Sequence, residues 1–213
     1  MAGFMAGGTG PASTADIPEI AGLLARAFDD DPELRAFVDG QERQKRLRSY
    51  LQAEACLTLD TGGVIDLYRD TDGQAVGAAV WEAPSARGML LQTVRYGPAM
   101  LAAVGLRGLL NWLTYRSDFK RFQPARPHWH LVRLATDASA RGQGIATALL
   151  RDRLDMIDQA GGIVHLEASG PSSARLYERF GFAAVGEFTL PPDTVIVAMT
   201  RPAHQHAITA RHP

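Results

Sequence analysis

The stretch that most narrows what this chain can become is "HWHLVRLATDASARGQGIATALL", residues 128–150. An apolar run with β-branched and aromatic residues reads as a strand. A Gly-rich turn with Arg141, Gly142 and Gly144 follows. Then Ala146, Leu149, Leu150, Leu154 and Ile157 recur at helical spacing. Gly161 and Gly162 stop the helix, and "IVHLEAS" is a second, mostly apolar strand. Strand 130–136, helix 143–159 and strand 162–168 therefore make one βαβ unit, with a glycine turn at the helix N-terminus. That is a place where a chain holds phosphate, because free N–H groups and the helix dipole both favour an anion.

Several ligands are weighed for this turn. A triphosphate loop needs Gly-Lys-Ser/Thr with four residues between its glycines, and this turn has no lysine. "GQGIAT" supplies G-x-G-x-x-T, and Glu167 lies where a dinucleotide fold places its ribose-binding acid. Against a dinucleotide stand the missing third Gly, the five residues Asp137 to Arg141 ahead of the first Gly, and the lack of a second βαβ half. Coenzyme A fits Arg141-x-x-Gly144-x-Ala146, where small residues let pyrophosphate oxygens approach the backbone. A tight turn with no ligand is the bland account. On the turn alone, these last three readings stay open.

The rest of the chain predicts a mixed α/β protein. "DIPEIAGLLARAF" has one apolar face, with Asp16 as expected N-cap and Glu19 at capping-box spacing. "DDDPEL" is expected to end that helix. "QERQKRLRSYLQAEACLTL" is a second helix, and "VIDLYRD" and "AVGAAVWEA" form a hairpin around "TDG". Residues 84–127 read as a helical insertion and a candidate acceptor-site wall. "SSARLYERF" is a short helix, with Ser172 a candidate N-cap, and "FAAVGEFTL" and "TVIVAMT" are a final antiparallel pair. The element order is β–α–α–β–β–(helices)–β–α–β–α–β–β, with the first strand the weakest. One domain is expected over 1–213, with 1–11 a flexible lead-in and 202–213 a tail.

Composition removes some partners. Net charge is −1, so no basic field awaits nucleic acid or an anionic membrane. The longest apolar region, "YGPAMLAAVGLRGLLNWL", is interrupted by Gly97, Pro98 and Arg107 and reads as soluble helix. Its 97–113 portion could form a face between two copies, a homodimer. Cys56 is the only cysteine, which fits a reducing, cytoplasmic setting and allows no cysteine metal cluster. His204 and His206 lie in the tail and are read as solvated; no metal is expected.

Two motifs in order carry a family resemblance. "LVRLATDASARGQGIATALL" resembles motif A of the GNAT N-acetyltransferases, whose pattern is Gln/Arg-x-x-Gly-x-Gly/Ala after a strand. About 25 residues downstream, "LEASGPSSARLYERFGF" is similar to their motif B. "AVWEAP", the insertion and "HLEASGPSSARLYERFGF" look most like the puromycin N-acetyltransferase branch. The resemblance implies a mostly antiparallel twisted sheet with a splayed central strand pair, flanked by helices, and acetyl-CoA as donor. It implies that backbone groups of Leu134, Ala135 and Thr136 line the pantetheine, and that Arg141, Gly142, Gln143, Gly144, Ile145, Ala146 and Thr147 hold the pyrophosphate. Tyr177 stands at the motif-B tyrosine and is the candidate general acid. Ser173 stands where many relatives have a cofactor-bonding Asn, and its shorter side chain puts that contact in doubt.

Amine acetylation also needs a group to take the amine's proton, usually a carboxylate. Glu167, near the end of a central strand, is the first candidate and Glu82 the second; a structural, salt-bridged Glu167 is the competing account. Trp81 and Glu82 are candidate acceptor contacts. His128 and His130, on one face by alternation, read as structural. Asp29, Asp30 and Asp31 read as a solvated helix end, although they could attract a cationic acceptor. Cys56 is far in sequence from both motifs, so direct attack without a covalent enzyme intermediate is expected. The activity expected is transfer of an acetyl group to the primary amine of a small molecule, an antibiotic or aminonucleoside-like compound among the candidates. A nicotinamide-dependent oxidoreductase and a non-catalytic acyl-CoA-binding protein are the alternatives.

Overall fold

In the computed structural model, residues 7–85 and 89–203 are described. Strands are β1 (Gly8–Pro11), β2 (Val64–Arg69), β3 (Ala75–Glu82), β4 (Trp129–Thr136), β5 (Val164–Ser169), β6 (Ala183–Leu190) and β7 (Thr194–Arg201). Helices are α1 (Ile17–Ala27), α2 (Pro32–Phe37), α3 (Arg43–Asp60), α4 (Met89–Arg121), α5 (Ile145–Gln159) and α6 (Pro171–Glu178). The strands form one sheet in the order β1-β2-β3-β4-β5-β7-β6. Only β4 and β5 are parallel; every other neighbouring pair is antiparallel. This is the mixed, mostly antiparallel sheet expected, with α4 between β3 and β4.

The sheet separates two cores. On one face Leu23, Leu24, Leu47 and Leu51 of α1 and α3 pack on Ile65 and Val80. On the other, Leu149, Leu150 and Leu154 of α5 pack on Trp81, Leu166 and Met199. Strand alternation divides the side chains between these faces. Burying such large aliphatic side chains contributes about 1.5–3 kcal/mol each before entropic costs.

The central pair parts early. β4 and β5 are paired at Trp129–Val164, His130–His165 and Leu131–Leu166 only. Beyond that point, Leu134, Ala135 and Thr136 pair with β3, while Glu167, Ala168 and Ser169 pair with β7. A free backbone edge therefore runs along each strand where the two diverge.

Several local expectations are corrected. The weak first strand of the expected order is Gly8–Pro11, an edge strand on β2 inside the stretch expected as a flexible lead-in; the Thr9 hydroxyl also bonds Asp152 of α5. Residues 1–6 and the tail histidines His204 and His206 lie outside the described residues. Asp16 stands at the N-cap of α1 as expected, but its side chain makes no cap bond: it has helical dihedrals and ends a 3-10 turn, where its carboxylate accepts from the N–H and hydroxyl of Ser13, each at 2.8 Å. Glu19 turns away from the helix end to accept from Ala75 N–H (2.8 Å) and Arg69 (2.9 Å). "DDDPEL" opens α2 as well as ending α1, because Asp31 accepts from Leu34 N–H at 2.9 Å and caps the new helix.

The insertion is a helix broken at Gly105, whose φ of 68° no ordinary helix residue adopts. Arg46 holds the break by donating to the carbonyls of Ala103 and Asp39, each at 2.8 Å. The second half lies across α2 and β6. Asn111 donates to Ala36 O (2.6 Å), and the Phe119 ring meets Phe188 at 4.8 Å, edge to face. Among the described residues no helix is long and apolar enough to cross a membrane.

Candidate active site

The glycine turn is built as a cradle. Gly142 and Gly144 have φ of 78° and 80°, and a Cβ on either would meet no protein atom within 4 Å. Open space thus lies directly over the backbone. Arg141 through Gly144 are exposed, while Ile145 is buried and anchors the helix start. It packs so closely on β3 that a Cβ on Gly77 would overlap its Cγ2. The first α5 bond described is from Ala148 N–H to Gly144 O. The N–H groups of Ile145, Ala146 and Thr147 precede it, and helix geometry leaves them without intrahelical partners. Asp137 fixes the turn from the other side, accepting from Ser139 N–H (3.1 Å) and Arg26 (3.1 Å). The glycine turn and the free edge of β4 at Leu134–Thr136 are separated by only the five residues Asp137 to Arg141. A pyrophosphate with an extended thioester arm fits this continuous row of backbone donors.

Across the splay stands α6. Its N-cap is Gly170, not Ser172, because φ of 93° at Gly170 makes the turn out of β5. The Ser173 hydroxyl reaches back to Ser169 O at 3.4 Å, a long bond. Tyr177 packs edge-to-face on Phe182 at 5.8 Å. Burial pushes its phenol upward, and the carboxylates of Glu33 and Asp31 push it further. The hydroxyl is a proton donor at neutral pH.

The polar centre lies where β4 and β5 begin to separate. His130 Nε2 contacts Glu167 at 2.6 Å and its Nδ1 contacts Glu82 at 3.3 Å. His165 Nε2 reaches the other oxygen of Glu167 at 3.2 Å, and its Nδ1 meets the Thr200 hydroxyl at 3.0 Å. Burial opposes charge on His130, but Glu167 and then Glu82 outweigh it and raise the imidazole to about 10. Burial likewise opposes charge on Glu167, yet His130 and His165 hold its carboxyl far below the usual range. Glu167 is thus held in its ionised form between two imidazoles. His130, read as structural, is an imidazolium strung between two carboxylates.

Trp81 is corrected as an acceptor contact. Its side chain is 0 % exposed and packs beneath the sheet with Leu149 and Leu166. Alternation sends neighbouring Glu82 the opposite way, where its side chain is 39 % exposed beside His130.

Next to this centre is a second network that the sequence reading missed. Arg133 makes a fork with both oxygens of Glu54, at 3.1 and 3.1 Å, and donates from Nη1 to Glu33 at 3.2 Å. Burial pushes Glu33 up to about 7, with Asp31 and Glu167 adding to the shift and Arg133 opposing it. The signal for this network was an arginine inside the apolar run "HLVRLAT". Its partners sit on α2 and α3, far away in sequence, and a register slip of β3 on β4 between Val80 and Trp81 sets its position.

The remaining candidates find ordinary partners. Asp29 bonds Arg43 and Asp30 bonds Arg35, each at 2.7 Å. The His128 ring stands 5.8 Å from His165. Cys56 lines a cavity of about 270 Å³ with Thr14, Asp60 and Tyr96, away from the glycine turn and α6. Burial and Asp60 push its thiol up, so it is a poor nucleophile.

Comparison with known proteins agrees with this geometry. The model of the Acetyltransferase (GNAT) family matches residues 25–182. An acetyltransferase of Corynebacterium glutamicum, described with histone acetyltransferase HPA2, superposes with a TM-score of 0.75 at 29 % identity, covering 96 % of this chain and 100 % of its own. Arylalkylamine N-acetyltransferase 2 of Aedes aegypti gives 0.61 at 16 % identity, covering 93 % and 100 %. The ribosomal-protein-S18-alanine N-acetyltransferase of Escherichia coli gives 0.54 at 16 %, covering 97 % and 99 %. The last two share the fold.

Proposed function

Because the chain belongs to the acetyltransferase (GNAT) family and is an acetyl-CoA-dependent enzyme, we propose that it acetylates the primary amine of a small cationic molecule by direct attack. One observation carries this reading: the polar face beside the splay holds more acid than base. Glu33, Glu54, Glu82 and Glu167 converge there on two cations, Arg133 and the His130 imidazolium. A surplus of partly buried carboxylate favours an ammonium group, and a cleft lined by one sign of charge concentrates its counter-ion.

In this reading Arg141 to Thr147 bind the pyrophosphate of acetyl-CoA. The free edge of β4 at Leu134–Thr136 aligns the pantetheine, and a backbone N–H there meets the thioester carbonyl as charge develops on its oxygen. Tyr177 gives a proton to the departing sulfur, and Ser173, whose hydroxyl reaches only a long bond to Ser169 O, is on the same helix as a candidate donor contact. Glu82 is the acceptor contact, being the exposed end of the His130 network. The second half of α4, held across α2 and β6, walls the acceptor side, which supports a small molecule over a protein chain. Kinship with puromycin N-acetyltransferases, and an aminonucleoside-like acceptor, form the finer part of the proposal. They rest on "AVWEAP", this insertion and the motif-B run.

The test is turnover of acetyl-CoA by the full chain with alkylamines, arylalkylamines, an aminonucleoside and a lysine peptide, followed by thiol release and product mass. A small cationic amine is expected to be acetylated fastest. Preference for the peptide, or for neutral analogues, would overturn the acceptor assignment.

A further inference from the structure

We infer that Glu33 of α2 is the general base of this enzyme, the carboxylate that takes the acceptor amine's proton before nitrogen attacks. The inference rests on the reading of the chain as an amine acetyltransferase.

The argument begins with a mismatch of charge. Arg133 already spends Nε and Nη2 on a bidentate pair with Glu54. Glu33 receives one further contact, from Nη1 to Oε1 at 3.2 Å. One guanidinium cannot neutralise two buried carboxylates: burial pushes Glu54 up as well, but Glu54 has a bidentate fork and a hydrogen bond from Tyr50 against it, where Glu33 has one contact. Glu33 is therefore the surplus acid, and its Oε2 accepts no hydrogen bond from the described residues. Arg133 from β4, Asp31 at the head of α2 and Glu167 from β5 act on it, and Tyr50 of α3 and Tyr177 of α6 feel its charge in turn. Only Arg133 among them brings a positive charge. The carboxyl consequently titrates at about 7, the range in which a group both binds and releases a proton at neutral pH. Glu167 is pinned in its ionised form by two imidazoles and lacks that property.

Position supports the same assignment. Glu33 and Tyr177 act on one another electrostatically although they belong to α2 and α6. Those helices both pack on β7, beside the end of β5 that has left β4. A proton acceptor and a proton donor thus face the diverging strands from two sides. Buried Leu34 and the Asn111 bond to Ala36 hold α2 in place. The protons balance. An arriving ammonium gives one proton to Glu33, which passes it to water. The nitrogen pair forms the C–N bond, the C–S bond breaks with its electrons on sulfur, and sulfur takes the Tyr177 proton. The second proton from nitrogen restores the phenol.

The experiment compares wild type, Glu33→Gln, Glu33→Asp and Glu167→Gln, using the amine of the panel that wild type acetylates fastest. In wild type, kcat/KM for the amine is expected to rise with pH through an acidic limb near 7. Glu33→Gln should lose that limb and about 100-fold in rate at neutral pH, with acetyl-CoA affinity unchanged. Glu33→Asp should keep the limb at a reduced rate, and Glu167→Gln should shift it to lower pH. Carbon NMR of glutamate side chains should find a carboxyl titrating near 7 in wild type that is missing from Glu33→Gln. A Glu33→Gln enzyme that keeps both rate and limb overturns the inference alone, as does the absence of that titrating carboxyl. Wild type that binds acetyl-CoA and acetylates no amine overturns the underlying reading, and the inference with it.

Discussion

His130 Nε2 and the Glu167 carboxylate are joined at 2.6 Å across the last shared rung of β4 and β5, and the contact fixes the charge of both groups. Each is buried, so each alone would shed its charge; together they keep it. The His130 imidazole should stay protonated through neutral pH and deprotonate near 10, read by NMR of its ring protons. Its value is raised above the ordinary 6.5, so the stability it contributes is complete below 6.5 and lost as pH rises through about 10. Glu167 has the opposite sign: its contribution is present above 4.5 and lost as pH falls through its depressed folded value. In Glu167→Gln, the His130 midpoint should drop, since only Glu82 then opposes the effect of burial.

Removing the imidazole leaves the buried Glu167 carboxylate with the 3.2 Å contact to His165 alone. His130→Ala should cost about 3 kcal/mol in urea unfolding at pH 7, because breaking a buried pair costs more than the pair contributes. A loss under roughly 0.5 kcal/mol, the range of ordinary surface changes, would mean water replaces the histidine freely.

Gly144→Val tests the phosphate cradle. The residue has φ of 80°, and its missing Cβ faces open space. A valine there meets strain of about 1–2 kcal/mol and fills the approach to the backbone N–H groups. Calorimetric titration should show acetyl-CoA affinity falling at least about tenfold, equivalent to 1.4 kcal/mol. Unaltered affinity would remove the turn from the donor site.

Tyr177→Phe separates donor binding from chemistry. Turnover should fall on the order of 100-fold, with acetyl-CoA affinity nearly intact because the ring still packs on Phe182. Equal turnover would show that another group protonates the sulfur.

Gly77→Ala tests how the cradle is supported from below. Its methyl would overlap Ile145 and press on Leu149, at 3.2 Å from Cδ1. Overpacking should cost about 1–3 kcal/mol in thermal or urea unfolding. By tilting the first turn of α5 it should also weaken acetyl-CoA binding, although residue 77 touches no donor atom. Stability lost with affinity unchanged would uncouple the two.

What could be read along the chain was what neighbouring residues decide among themselves. The apolar faces of α1 and α5, the β2–β3 hairpin and the left-handed turn at Gly142 and Gly144 depend on period and backbone freedom, which appear in a few consecutive letters. The glycine turn followed by "LYERFGF" also pointed to the donor substrate. β1 stood in the expected order without bounds, because "GTGP" carries no apolar alternation and the edge of β2 supplies its partners. Asp16 and Ser172 show the weakness of cap assignments: Asp16 accepts from Ser13 of the preceding turn, and Gly170 makes the turn into α6.

The acid–base centre lay beyond that reach. Arg133 meets residues 79 and 100 positions away, and His130 meets Glu82 and Glu167 at 48 and 37. Their charge states follow from burial and from one another, and neither exists until the sheet is assembled. By itself the sequence determined the donor cradle and the αβ order around it, because those are local. Only the tertiary structure decided which carboxylate is pinned and which is surplus, because that choice depends on how many buried cations the fold gathers beside them.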